Sequence, residues 1–146
     1  MSSEYANEFN EFLEDEISAV KSYDIALDKQ VNSEHKEALG ECRQAHAELV
    51  KKLRTCVTQL SGNPKKDAGI FGGFNVAVED SAATPTDAIA LLEQAEAERL
   101  VRYEAQRKIV PPPVLSVLEN ELLPSQHKTH LTVSALLKEI TPLPRQ

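Results

Sequence analysis

At 146 residues with a formal net charge of −7, the chain has the length of one domain and no basic excess for a nucleic acid or an anionic membrane. Hydrophobic residues make up 41% and charged residues 27%, the balance of a chain that folds around an apolar core. No apolar run approaches the ~20 residues that span a bilayer, and the opening MSSEYANEF is acidic, unlike a signal peptide. The expectation is a cytoplasmic protein with no membrane or nucleic-acid partner.

The first predicted helix covers residues 4 to 29. Phe9, Leu13, Glu16, Val20, Tyr23 and Leu27 follow one another at steps of 4, 3, 4, 3 and 4, the spacing of a helix-bundle seam. Ser2 or Ser3 is its expected cap. The second helix starts at Asn32 or Ser33 and places Leu39, Cys42, His46, Leu49, Leu53, Cys56 and Leu60 on one seam. Ser61-Gly62-Asn63-Pro64 stops it, with Gly62 suited to a left-handed C-cap. Cys42 and Cys56 lie 14 residues apart on this helix. That separates them by about 21 Å, too far for a disulfide, so both are expected to be reduced core thiols.

A crossover follows over residues 61–84, with a short helix expected from Asn75 to Ala82. Its glycines lack both the Gly-x-x-x-x-Gly-Lys pattern and the preceding strand of a phosphate loop. The third helix opens with Thr84 as N-cap, Pro85 at its first position and Asp87 in the first turn, and runs to Ile109. Its inner face carries Ile89, Leu92, Glu96, Leu100 and Tyr103. Pro111-Pro112-Pro113 forms a rigid link. The fourth helix, residues 114–140, turns Leu115, Leu118, Leu122, Gln126, His130, Val133, Leu137 and Ile140 inward, with a kink at Pro124 and a stop at Pro142.

The two halves of the chain repeat. Glu16 and Tyr23 recur 80 residues later as Glu96 and Tyr103, while Glu37 and His46 recur at an offset of 84 as Glu121 and His130. Residues 4–60 thus match residues 84–140 around the crossover. The pattern predicts a single all-α domain over residues 1–146: a four-helix bundle with an internal pseudo-two-fold repeat and a long connection between its second and third helices. A carboxylate or an imidazole sits mid-helix on each seam, and a buried carboxylate must be paired, hydrogen-bonded, protonated or bound to a metal.

In this arrangement the chain resembles the ferritin-like superfamily, most closely a small, uncharacterised bacterial branch of it. The resemblance rests on Glu16 and Tyr23, His46, the Gly-containing crossover, Glu96 and Tyr103, and His130, and it spans nearly the whole chain. It implies a dimetal site whose terminal ligands would be Glu16, His46, Glu96 and His130. Where metal-binding members carry the first glutamate of each Glu-x-x-His pair, this sequence has Arg43 and His127.

Two readings follow. In one, a single divalent metal (Fe, Zn, Mn or Ni) is held by Glu16, His46, Glu96 and His130 with His127 or Cys42 as an extra ligand, which would suit a metal-dependent oxidase or peroxide-handling activity. In the other, which the two missing bridges favour, the Arg43 guanidinium replaces the metal, pairs with Glu16 and Glu96, and Tyr23 and Tyr103 complete the hydrogen bonds. The protein is then a non-catalytic structural, stress-related or interaction module. A plainer alternative turns Ile17 and Glu98 inward in place of the two glutamates, with His127 and His35 on the surface. No nucleophile–base pair stands out, no protein partner is named by the sequence, and a homo-oligomer stays open.

Overall fold

The computed structural model describes residues 2–141, with side chains from residue 5 onward. The capping role expected of Ser2 or Ser3 and the stop expected at Pro142 lie outside it. The described residues form helices joined by turns and loops, without strands: α1 (Ser2–Asp28), α2 (Ser33–Gln59), α3 (Gly69–Asp80), α4 (Pro85–Gln106), α5 (Pro112–Val117), a π-helical turn at Leu118–Leu122, and α6 (Leu123–Ile140). No described helix is long and apolar enough to cross a membrane.

Helices α1 and α2 pack together, as do α4 and α6, and the pairs meet through α1 on α4 and α2 on α6. The core has two apolar ends. One gathers Phe9, Phe12, Leu13, Leu53, Val57, Leu118 and Leu122; the other gathers Ala26, Leu39, Ile89, Leu92 and Val133. Between them lies a buried polar layer. Val20, Cys56, Leu60, Leu100, Leu115, Leu137 and Ile140, all expected on seams, are only partly buried and border these clusters.

Helix ends follow local chemistry. Asn32 caps α2 by accepting a hydrogen bond from the His35 amide at 3.0 Å, and Thr84 caps α4 through the Asp87 amide at 3.0 Å. At the far end of α2 the left-handed residue is Ser61 (φ 60°), not Gly62 as expected. The Ser61 amide donates to Thr58 O at 3.0 Å and the Gly62 amide to Val57 O at 2.9 Å, the two bonds of a Schellman cap. Gly62 is needed for a different reason: a Cβ there would meet Ala6 Cβ at 2.8 Å.

Three further elements depart from expectation. The crossover helix begins at Gly69, six residues earlier than the expected Asn75. The glycines here allow close packing: Ser18 Oγ donates to Gly72 O at 3.1 Å, and a Cβ on Gly72 would meet Ser18 Cβ at 3.0 Å. Pro112 and Pro113 open α5 instead of forming a link, because a helix's first turn has no use for the missing N–H. Finally, where a kink was expected at Pro124, the structure has a π-turn just before it; a wider turn accommodates a ring that would clash with the carbonyl four residues back.

Candidate functional site

The buried polar layer is built around His46, which is fully enclosed. Its Nδ1 lies 2.6 Å from Glu16 Oε1 and its Nε2 lies 3.0 Å from Glu96 Oε2. The tyrosines cross over: Tyr23, on the helix of Glu16, donates to Glu96 Oε2 at 2.5 Å, while Tyr103, on the helix of Glu96, donates to Glu16 Oε2 at 2.5 Å. Glu96 Oε1 accepts from Gln126 Nε2 at 2.5 Å, Thr129 Oγ1 at 3.1 Å and Arg99 Nη1 at 3.4 Å. Gln126 Nε2 also lies 2.9 Å from the backbone oxygen of Glu96, which ties α6 to α4.

Burial is what makes these contacts decisive. It would push the His46 imidazole toward neutrality, yet the Glu96 and Glu16 carboxylates outweigh it and raise the pKa to about 9. Burial likewise opposes ionisation of Glu96, but His46, Arg99 and the Tyr23 hydroxyl bring its pKa down to about 2. Burial and the facing carboxylates push both tyrosine pKa values well up, so Tyr23 and Tyr103 act as neutral donors. The Arg99 guanidinium, only 2% exposed, stays charged because Glu96, Asp15 and Glu16 surround it. Its Nε is 3.8 Å from Asp15 Oδ1, which in turn binds Arg102 Nη2 at 2.6 Å near the surface.

The sequence-predicted residues divide clearly. Glu16, His46, Glu96, Tyr23 and Tyr103 come together, and the alternative with Glu98 inward fails because Glu98 is exposed. His130 does not join them; it lies partly exposed with its Nε2 3.5 Å from Glu93 Oε1. His127 is on the surface beside Glu104 at 3.6 Å. Arg43 does not enter the pocket either, since its side chain is 37% exposed and pairs with Asp24 at 2.6 Å.

Arg99, Gln126 and Thr129 take the places expected of Arg43 and His130. Arg99 carried a readable signal, a cation one turn after Glu96 on the same face. Gln126 lies 80 residues after His46, the offset that relates Glu16 to Glu96, and the offset of 84 had drawn attention to His130 instead.

As arranged, these donors do not fit a metal ion. Both ring nitrogens of His46 lie at hydrogen-bond distance from carboxyl oxygens, so neither is turned toward an open coordination position. No group of three or more His, Cys, Asp or Glu side chains among the described residues is arranged to hold a metal. Two cations, His46 and Arg99, face two carboxylates, Glu16 and Glu96, in the closed centre.

Comparison of the chain with protein-family models, curated proteins and solved structures gave no match.

Proposed function

We propose that the chain is a non-catalytic scaffold or interaction module with a ferritin-like four-helix plan, in which an imidazolium and an arginine stand where a dimetal centre would hold its ions. The observation that carries this reading is His46 with both ring nitrogens on carboxylates. The crossed Tyr23–Glu96 and Tyr103–Glu16 bonds support descent from a duplicated helical pair, because the same two residue types exchange the same bond between the halves. Such a centre binds its own helices together and offers no open coordination position or water-accessible nucleophile.

The test is metal analysis of untagged protein, followed by titration with Fe(II) and Zn(II) under thermal unfolding. The expected result is far less than one metal per chain and no stabilisation by either ion. Stoichiometric metal that survives dialysis would overturn the reading and favour a metal-dependent oxidase.

A further inference from the structure

Away from the central layer, Ile70, Phe71 and Phe74 of α3 and Val101 of α4 are 97%, 62%, 66% and 69% exposed. Steps of 3 and 4 set the three α3 residues on one side of that helix. Phe71 borders one groove with Ala97 and Val101 and another with Phe74, Leu91 and Ala95, so the apolar face continues onto α4. The other strongly exposed large apolar residues, Val31, Ile109 and Leu131, lie on separate elements. Single exposed residues need no explanation, but a contiguous apolar face on the order of 500 Å² is the kind that marks an interaction site.

The face is held in place. Ser18 Oγ donates to Gly72 O at 3.1 Å beneath α3, and Lys29 Nζ donates to Asp80 O at 2.6 Å at its end. Arg102, paired with Asp15 at 2.6 Å, lies over one side of the Phe71 ring at 5.5 Å and leaves most of the residue in the open. A surface fixed in advance loses little freedom when it is covered.

Small residues complete the outer side of α3: Ile70, Gly73, Phe74 and Ala77 follow at steps of 3, 1 and 3, all exposed. Gly72, on the inner side, is small because Ser18 lies against it, but a Cβ on Gly73 would meet nothing within 4 Å. Glycine weakens a helix interior, and the chain itself supplies no reason for one at this position. A second helix approaching closely would supply it. The ends of α3 also differ in charge. Lys65 and Lys66 are exposed just before its start and Asp80 is exposed at its end, while Asp67 is engaged in accepting from the Gly69 amide at 3.0 Å. The helix dipole has the same sense, positive at the start.

We propose that this face is the two-fold interface of a homodimer, with α3 of one copy lying antiparallel across α3 of the other at Gly73. Lys65 and Lys66 of each copy then meet Asp80 of the other, and Phe74, mid-helix, packs near the axis. A face with opposite charges at its two ends is complementary to itself, as an interface between identical copies requires. At a net charge of −7, such local pairing offsets the general repulsion between copies, whereas an anionic lipid surface would meet that repulsion uncompensated. The exposed Gln94 and Glu98 add a polar rim that brings the face toward the ~800 Å² per partner of a stable complex. The inference does not depend on how the central layer is neutralised.

The test is sedimentation of the full chain over about 1–500 µM, with a monomer–dimer equilibrium of Kd at or below about 100 µM expected. Gly73→Leu, which has room in the monomer, and Phe74→Glu, which sets two carboxylates near the axis, should each raise Kd about tenfold or more while dilute protein melts like the parent. Leu131→Glu, on an exposed apolar residue of α6, should leave Kd unchanged. Asp80→Lys should weaken the dimer, and adding Lys65→Glu and Lys66→Glu should restore it. A monomer at every concentration, an unchanged Kd in Gly73→Leu, equal weakening by Leu131→Glu, or a triple charge swap that fails to recover affinity would each overturn the proposal. So would monomeric protein that binds phosphatidylcholine vesicles through Phe74.

Discussion

Arg43 and Arg99 each pair with a carboxylate, but their surroundings give those pairs opposite weight. The Arg43–Asp24 pair is open to water, with side chains 37% and 52% exposed. Exposed ion pairs contribute about 0–1 kcal/mol, so Arg43→Ala should leave the denaturant midpoint nearly unchanged. The Arg99 side chain is 3% exposed and faces Glu96, itself 1% exposed. Removing it breaks a buried ion pair, which typically costs about 3–5 kcal/mol, although His46, Tyr23, Gln126 and Thr129 still contact Glu96, and chemical denaturation of Arg99→Ala should register a loss toward the lower end of that range. The exchange of roles between the two arginines shows where residue-level reading stopped. Arg43 stood in a slot copied from a ligand pattern, whereas the seam steps from Glu96 reach both residue 99 and residue 100, and the apolar Leu100 drew the inward assignment.

At the scale of the helix, α2 presents its two cysteines unequally. Cys42 is 3% exposed within the core, and burial together with the nearby Glu96 charge pushes its thiol up to about 12. Cys56 is only partly buried at the edge of the other apolar cluster. The thiolate is the reactive form, so a thiol reagent should modify Cys56 in the native protein and reach Cys42 only on unfolding. Two fast thiols would mean that this face of α2 is open. The four long helical stretches were legible in the sequence because their apolar steps of 3 and 4 persist over many turns and their caps are strong. The register of the last one was less so. From Leu122 the enclosed positions run Gln126, Thr129, Val133 and Leu136, while the adjacent Leu136-Leu137 pair made His130 and Leu137 equally acceptable by apolarity. Helix α3 was only partly readable, since glycine argues against a helix and its reason here, contact with Ser18, is tertiary.

For the whole molecule, the buried charges set how stability should vary with pH. Glu96 is held at about 2 against an ordinary 4.5, so its contribution is present above pH 4.5 and is lost as pH falls through about 2. His46 is raised from 6.5 to about 9, so its contribution is full below pH 6.5 and is lost as pH rises through about 9. Glu79, raised by burial from 4.5 to about 8, binds a proton more tightly when folded and therefore costs stability as pH climbs between those values. Denaturant stability should accordingly decline from about pH 5 toward pH 9, and Glu79→Gln should flatten the lower part of that decline. The existence of a polar centre could be read from the repeated Glu and Tyr spacing; its neutralisation by His46 and Arg99 could not, because that depends on which side chains are enclosed together. The measurement that tests this centre most directly is long-range ¹H–¹⁵N NMR of the His46 ring across pH. Both nitrogens are expected to carry protons at neutral pH and to titrate near 9. A neutral ring with one unprotonated nitrogen at neutral pH, or a ring signal displaced by stoichiometric bound metal, would contradict the account.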